Sequence, residues 1–181
     1  LVGSEMCIRD RLVTCPPMLG MLPTFVTFAE ELGLELVKAE VKQTLSEEEI
    51  SEIIPDFDGW IIGDDPATRR VLKTGSEGRL KAAVKWGIGV DNVDFEACKD
   101  YGISIANTPG MFGKEVSDIA IGYVIALARQ TFYIDRKIRK GDWPKPVGIS
   151  LNEKVAAVVG YGDIGKNTVE RLRACLLYTS D

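Results

Sequence analysis

Short apolar runs alternate with helical patterns through the first 110 residues of this 181-residue chain, and this alternation restricts the fold more than any other feature. The runs that predict strands are residues 12–14, 34–38, 59–62, 82–85 and 103–106. Successive strands that are joined through helices lie parallel, and a parallel sheet is covered by helices on both faces. We therefore expect an α/β fold with a parallel sheet in this part of the chain.

The segments between the strands carry helix signals. Ser46 and Glu49 are spaced as in a capping box, in which each side chain accepts a hydrogen bond from the backbone N–H of the other residue. Gly33 and Pro55 stand where helices would end. Helices are predicted at residues 23–32, 46–54, 66–73 and 95–100.

A long helical pattern over residues 115–139 follows the last of these strands. Its first half is apolar on nearly every side, which indicates burial between two bodies, and its second half is charged. Gly141 and Pro144 would end the helix. The pattern is typical of a helix that connects two domains.

A further strand-and-helix unit follows the long helix. The apolar run VAAVV at residues 155–159 predicts a buried parallel strand, and residues 163–174 predict a helix. The turn between them reads G-x-G-x-x-G, in the strand-to-helix context that a dinucleotide-binding turn requires. A glycine-rich turn without a ligand is the alternative.

Each glycine of this turn has its own role in the dinucleotide interpretation. Gly160 would permit the tight turn, Gly162 would let the backbone approach a pyrophosphate, and Gly165 would let helix and strand pack closely. The free N–H groups at the start of the helix would bind the anion. Asp163 places a negative charge near that anion, so its side chain must point away from it.

A second candidate binding segment, KWGIGVDNVD, lies at the carboxyl end of the fourth predicted strand. Ligands of open α/β sheets bind at the carboxyl ends of the strands. Gly87 and Gly89 flank Ile88 and expose backbone N–H groups that suit a small carboxylate. A structural turn capped by Asp91 or Asp94 is the alternative.

The composition excludes several classes of function. A formal net charge of −5 without a basic run argues against nucleic-acid binding as the main role. The longest apolar run, residues 119–128, is about half of what a membrane span needs. With the chain ends set aside, Cys15 and Cys98 remain, and they make neither a disulfide framework nor a metal site. A reducing cytoplasm is the simplest compartment.

The two ends of the chain do not continue these patterns. Residues 6–10 can be encoded by ATG TGT ATA AGA GAC, and the reverse complement of that string with its flanking bases encodes Cys-Leu-Leu-Tyr-Thr-Ser, the sequence of residues 175–180. One DNA element in opposite orientations therefore accounts for both ends, as a translated sequencing-library adaptor would. We expect residues 1–11 and 175–181 to be non-native, with a genuine arm and tail as the alternative.

Four motifs, in their order and spacing, resemble those of the D-isomer-specific 2-hydroxyacid dehydrogenases, in particular the phosphoglycerate-dehydrogenase-like branch. They are KWGIGVDNVD, GISIANTPG, EVSDIAIGYVIALAR and VVGYGDIG. The resemblance implies a flavodoxin-like substrate domain at residues 12–110. It implies that residues 111–174 hold the connecting helix and the first unit of a truncated Rossmann domain. It also implies a homodimer, NAD or NADP as the cofactor, and a small 2-hydroxy or 2-oxo acid as the substrate.

Carried over by position, the resemblance implies roles for individual residues. The backbone of Gly87, Ile88 and Gly89 would hold the substrate carboxylate. Thr108 and Pro109 would belong to the crossing between the domains, near the nicotinamide. The residues implied to bind the cofactor are Asn107, Val116, Gly160, Gly162, Asp163, Ile164 and Gly165.

The loop after the third predicted strand contains Asp64 and Asp65. Relatives that bind a phosphorylated substrate often place basic or hydroxyl groups there, so this acidic loop disfavours phosphoglycerate as the substrate. A solvated turn that caps the next helix is the alternative.

The family's catalytic arginine, glutamate and histidine lie later in the Rossmann domain, and this chain contains no histidine. We expect the parent protein to oxidise a D-2-hydroxy acid or to run the reverse reaction. We expect this polypeptide itself to be inactive, because it offers no proton donor to the oxo group. A non-enzymatic, corepressor-like module that senses NAD(H) is the alternative.

Overall fold

A computed structural model describes residues 9–175 of the chain, which divide into two units after Pro109. The first unit contains a parallel sheet with the strand order β2-β1-β3-β4-β5. The strands are β1 Arg9–Val13, β2 Leu34–Lys38, β3 Gly59–Ile62, β4 Ala82–Lys85 and β5 Ser104–Asn107. This order is that of flavodoxin-like, doubly wound sheets, so the predicted α/β fold is confirmed.

The first strand begins earlier than predicted. Residues 9–11, which belong to the segment expected to be non-native, form part of β1. Arg11 is in register with Leu36 on β2 and with Gly59 on β3, and the Asp10 carboxylate forms an ion pair with Arg79. The remainder of that segment and residues 176–181 of the other end lie outside the described residues.

The helices of the first unit are α1 Pro16–Glu31, α2 Glu47–Ile53, α3 Arg69–Glu77 and α4 Phe95–Asp100. The prediction that α1 starts at Pro23 is wrong. The helix begins at Pro16, because a proline in the first turn has no N–H to satisfy and its fixed φ suits a helix. The capping box of Ser46 and Glu49 is confirmed.

Side chains on the two faces of the sheet form two separate apolar clusters. Leu12 and Trp60 belong to the cluster that includes residues of α2, α3 and α4, whereas Val13 packs with Cys15 and Met18. Neighbouring residues of a strand enter different clusters because successive side chains point to opposite faces. The sheet is therefore covered on both sides, and the carboxyl ends of its strands remain available at one edge.

The second unit contains the helices α5 Gly113–Arg129, α6 Thr131–Ile138 and α7 Asp163–Cys175. The prediction of one continuous helix over residues 115–139 is wrong. Gln130 has a left-handed backbone with φ of +56°, and its N–H closes α5 on the carbonyl oxygens of Ala126 and Leu127. A residue in this conformation ends an α-helix, so α6 starts as a separate helix.

The predicted strand at residues 155–159 is not part of a sheet. Val155 and Val159 are 97% and 101% exposed, and the second unit contains no strand within the described residues. A strand needs a neighbouring strand to complete its hydrogen bonds, and this part of the chain supplies none. The apolar run instead forms one wall of a cavity of about 420 Å³, together with Val124 and Leu172.

Two further features of residues 9–175 concern membranes and metals. None of their helices is both long and apolar enough to cross a bilayer. Nor do their cysteine, aspartate and glutamate side chains form a group of three or more that could hold a metal ion.

The buried Cys98 thiol gives a pH-dependent prediction. Burial raises the pKa of this thiol from 9.0 to about 11, and the nearby Asp94 carboxylate adds to the shift. Because the thiolate is the reactive form, iodoacetamide at pH 8 should modify folded Cys98 roughly a hundred times more slowly than the unfolded chain. Mass spectrometry of the Cys98 peptide measures both rates, and equal rates would contradict the prediction.

The same shift sets the sign of a stability change at alkaline pH. Below about pH 9 the Cys98 thiol keeps its proton in both states. Between pH 9 and about 11 the unfolded thiol loses its proton while the folded thiol keeps it, so the free energy of unfolding should fall across that interval.

Candidate functional site

The loop after β4 carries the residues predicted to hold a carboxylate. Gly87 has φ of +151°, a conformation that favours glycine. Its N–H donates to the Thr108 hydroxyl and to the Lys85 carbonyl, both at 3.0 Å, and the Thr108 N–H donates to the Gly87 carbonyl at 3.1 Å. The Asn107 amide donates to the Ile88 carbonyl at 3.2 Å. The loops after β4 and β5 are therefore joined by hydrogen bonds.

The next two backbone N–H groups along this loop, those of Ile88 and Gly89, are free. Neither donates a hydrogen bond to any group within residues 9–175. Gly89 is exposed and Ile88 is half-buried. Because Gly87 and the Ile88 carbonyl are fixed by their own hydrogen bonds, these two donors are held in position for an anionic ligand.

Lys85, the last residue of β4, lies beside this loop. Its Nζ is 3.8 Å from the position that a Cβ on Gly87 would occupy. The ammonium donates to the Gly63 carbonyl at 2.5 Å and to the Asp64 carboxylate at 2.9 Å. The Lys85 side chain is 5% exposed, whereas that of Asp64 is 82% exposed. A buried cation therefore joins the loop after β3 to the loop after β4.

Sequence reasoning did not assign Lys85 a role. The available signal was a charged residue that closes an otherwise apolar strand, AAVK, at the edge where ligands bind. A buried lysine needs partners, because its ammonium is costly to remove from water. Those partners come from a different strand's loop and could not be read from local sequence.

Asp65 is fully buried and organises the loop after β3. Its carboxylate accepts hydrogen bonds from the Thr14 hydroxyl, from the Leu45 N–H at 2.8 Å and from the Gly63 N–H at 3.2 Å. The Thr14 hydroxyl oxygen in turn accepts from the Trp60 indole N–H at 2.9 Å. The network joins the ends of β1 and β3 and holds the position of the loop.

The interpretation of this loop as a turn that caps α3 is wrong, although one of its aspartates, Asp64, is exposed to solvent. Asp65 is buried, and the cap of α3 is the Thr68 hydroxyl, which accepts the N–H of Val71. In the loop after β4, by contrast, Asp94 does cap the following helix α4, through the N–H of Ala97 at 2.7 Å. That cap leaves the free N–H groups of the loop untouched.

In the second unit, the glycine-rich turn leads into α7. Gly160 has φ of +91°, which favours glycine. A Cβ on Gly165 would lie 2.0 Å from the Gly160 carbonyl oxygen, so no side chain fits there. A Cβ on Gly162 would meet nothing within 4 Å. The turn therefore closes tightly at Gly165 and leaves space in front of Gly162.

The N–H groups at the start of α7 are also free. Those of Gly162 to Gly165 donate to no group in the part of the chain that the structure describes, and the first backbone hydrogen bond of the helix runs from Lys166 to the Gly162 carbonyl at 3.0 Å. Unpaired N–H groups and the positive end of the helix dipole together favour an anion.

The Asp163 carboxylate lies against α5. A Cβ on Gly113 would be 2.3 Å from Asp163 Oδ2, and the Asn167 amide donates to Asp163 Oδ1 at 3.1 Å. The buried Ser117 hydroxyl donates a hydrogen bond to the Ile164 carbonyl at 3.2 Å, which joins α5 to the first turn of α7. These contacts are compatible with the expectation that the Asp163 side chain points away from a bound anion.

The two other residues predicted to bind the cofactor lie in different units. Asn107 is the last residue of β5 in the first unit. Val116 lies in the first turn of α5 in the second unit, with 42% of its surface exposed. Their cofactor roles stay predictions.

The loop of Gly87, Ile88 and Gly89 is called the carboxylate loop below. The hydrogen bond between Gly87 and Thr108 gives a prediction about this loop. Thr108→Val removes the hydroxyl acceptor. We expect the free energy of unfolding to fall by about 1 kcal/mol and hydrogen exchange at the Gly87 amide to become several-fold faster. Thr108→Ser keeps the hydroxyl and is the matched control. Equal exchange rates at Gly87 in the two variants would show that this bond does not hold the loop.

Comparison with known proteins identifies the family. Residues 22–179 match the family model described as D-isomer specific 2-hydroxyacid dehydrogenase, catalytic domain. The chain is 32% identical over 152 residues to D-3-phosphoglycerate dehydrogenase of Methanocaldococcus jannaschii, covering 82% of this chain and 28% of that protein. It is 30% identical over 151 residues to hydroxypyruvate reductase of Thermotoga maritima, covering 80% of this chain and 49% of that protein.

A solved structure agrees with the sequence matches. The NAD⁺-bound 3-phosphoglycerate dehydrogenase of Entamoeba histolytica aligns with a TM-score of 0.77 at 26% identity, over 94% of this chain and 52% of that chain. The chain thus belongs to the D-isomer-specific 2-hydroxyacid dehydrogenase family. It spans about half the length or less of these relatives.

Proposed function

We propose that this chain is part of an NAD- or NADP-dependent oxidoreductase that interconverts a D-2-hydroxy acid and the corresponding 2-oxo acid. The observation that carries the proposal is the pair of free, positioned N–H groups of Ile88 and Gly89 at the carboxyl edge of the sheet. Relatives named as phosphoglycerate dehydrogenase and hydroxypyruvate reductase support the reaction class.

In this proposal, the loop after β4 binds the substrate carboxylate. The Ile88 and Gly89 N–H groups donate to its oxygens, and the hydrogen bonds of Gly87 to Thr108 keep the donors aligned. Donors that are fixed before the ligand arrives lose little conformational entropy on binding, which favours both affinity and orientation.

The turn before α7 binds the cofactor pyrophosphate. The free N–H groups of Gly162 to Gly165 would hold the anion, and the close packing of Gly165 on Gly160 would let it approach the backbone. The family resemblance also assigns Asn107 and Val116 to the cofactor. When bound, the nicotinamide nucleotide supplies or accepts the hydride at C2 of the acid.

The 181-residue chain itself binds the acid but does not catalyse its oxidation or reduction. It contains no histidine, and we propose that the catalytic arginine, glutamate and histidine belong to sequence beyond it. The purified chain should give no NADH oxidation above the blank with hydroxypyruvate, glyoxylate or pyruvate. In the same samples, glyoxylate should shift the amide resonances of Ile88 and Gly89. Measurable turnover, or a titration that leaves these amides unmoved, would overturn this assignment.

The glycine-rich turn before α7 also fits a second candidate, a non-enzymatic module that senses NAD(H) and recruits partners. This candidate needs the nucleotide-binding turn but no proton donor. This candidate becomes the better supported of the two if a gene product that extends beyond this chain binds NADH and gives no turnover with any D-2-hydroxy acid.

We also propose how the whole protein is organised. Residues 12–110 form the substrate domain and residues 111–174 begin the cofactor domain, which the division after Pro109 supports. Exposed apolar residues on α5, such as Ile119 and Leu127, support burial against another body in a cytoplasmic homodimer.

Residues 1–11 and 175–181 derive from an adaptor. Sequencing the source DNA beyond both ends tests that origin, and a reading frame that continues without adaptor bases contradicts it.

A further inference from the structure

The ion pair between Lys85 and Asp64 sets the charge beside the carboxylate loop. Two of the three N–H donors of the Lys85 ammonium are taken by the Gly63 carbonyl and the Asp64 carboxylate, at 2.5 and 2.9 Å. The position of a Cβ on Gly87 is 3.8 Å from the same ammonium. The Asp64 carboxylate is therefore paired with a cation that lies beside the start of the carboxylate loop.

The two members of this pair differ in what a ligand can reach. The ammonium is buried, with 5% of the Lys85 side chain exposed, whereas 82% of the Asp64 side chain is exposed. The cation is already paired, so it offers little further attraction to a second anionic group of a ligand. The pair is neutral overall, but an approaching group meets the exposed carboxylate before the buried ammonium, so the surface next to the loop disfavours additional negative charge.

The position of Asp64 is fixed rather than accidental. The following residue, Asp65, is fully buried and accepts three hydrogen bonds, and the Asn92 side chain donates to the Gly63 and Asp65 carbonyls at 3.2 and 2.6 Å. The loop cannot swing away from the ligand without breaking these contacts. The backbone of Asp64 is thus held in place by its neighbours, and its carboxylate is held by the ion pair with Lys85.

We propose that Asp64 determines the substrate class of this site by selecting 2-hydroxy and 2-oxo acids with an uncharged group at C3 and rejecting those with a phosphate at C3. The inference rests on the proposed function, in which the loop of Gly87 to Gly89 holds the acid's carboxylate. Asp64 is the exposed charge of the loop after β3, and its ion pair with Lys85 joins that loop to the end of β4, directly before the loop of Gly87 to Gly89.

The test compares D-glycerate with 3-phospho-D-glycerate, which differ by the phosphate alone. Both are titrated into the 181-residue chain, with the Ile88 and Gly89 amide resonances as the readout. We expect the phosphorylated acid to bind at least about tenfold more weakly than D-glycerate, and added salt to narrow the difference. Asp64→Asn should bring the two dissociation constants together, because it removes the repulsion and releases the Lys85 ammonium.

Asp100→Asn is the matched control. It removes an exposed, ion-paired carboxylate of the same kind, the partner of Arg69 at the end of α4, and should leave the preference unchanged. If 3-phospho-D-glycerate binds the unmodified chain as tightly as D-glycerate, or if Asp64→Asn leaves the ratio unchanged, this inference is wrong and the carboxylate site stands. If neither acid moves the two amides, the carboxylate site itself is wrong and this inference fails with it.

Discussion

Gly165→Ala should destabilise the second unit by about 3 kcal/mol or more and abolish nucleotide binding. The new Cβ would lie 2.0 Å from the Gly160 carbonyl oxygen and 3.0 Å from the Gly160 carbonyl carbon. Both are backbone atoms of a residue whose φ is already +91°, so the clash cannot be relieved by a side-chain rotation. The free energy of opening, measured by amide hydrogen exchange along α7, reports the loss.

Gly162→Ala is the matched control for this prediction. The same methyl group is added in the same turn, but it meets nothing within 4 Å, so the stability of α7 should change by less than about 1 kcal/mol. Nucleotide binding should still weaken, because the methyl group would occupy the space where a pyrophosphate approaches the backbone. Equal stability of the two variants would refute the role of close packing at Gly165.

Asp65→Ala should lower the free energy of unfolding of the first unit by about 3 kcal/mol or more. The substitution leaves three donors, the Thr14 hydroxyl and the Gly63 and Leu45 N–H groups, without their acceptor in a buried site. Each unsatisfied buried donor costs about 1–3 kcal/mol. Urea unfolding followed by circular dichroism measures the change.

The neighbouring carboxylate supplies the control. Asp64→Asn alters an exposed ion pair and should change the free energy of unfolding by no more than about 1 kcal/mol. The two substitutions affect adjacent residues of one loop and differ in burial. If Asp65→Ala and Asp64→Asn cost the same, the buried network does not hold the loop as described.

Local patterns were sufficient for the elements that depend on local contacts. The strands β2, β3 and β4 and the helix α4 occur at the predicted residues, because apolar alternation, capping residues and glycine stops act within a few residues. The loop of Gly87 to Gly89 directly follows β4, and the glycine-rich turn leads directly into α7, so both could likewise be located from the sequence.

Other features depend on contacts that local sequence does not contain. Residues 155–159 have the composition of a strand, but a strand also needs a partner, and none is described in the second unit. The long helix breaks at Gln130, a residue type that gives no warning of a left-handed backbone. The burial of Lys85 and Asp65 depends on partners from other strands and loops, so it could not be read from the local sequence.

The central claim is that this chain is part of a dehydrogenase specific for D-2-hydroxy acids. The most direct measurement is the reduction of NAD⁺ and NADP⁺ by the purified product of the complete gene, with D-glycerate, D-lactate and their L-enantiomers. We predict nucleotide reduction with at least one D-acid and none with the L-acids, together with loss of turnover in the Gly165→Ala variant. Turnover of the L-acids, or nucleotide binding without turnover of any acid, would contradict the account.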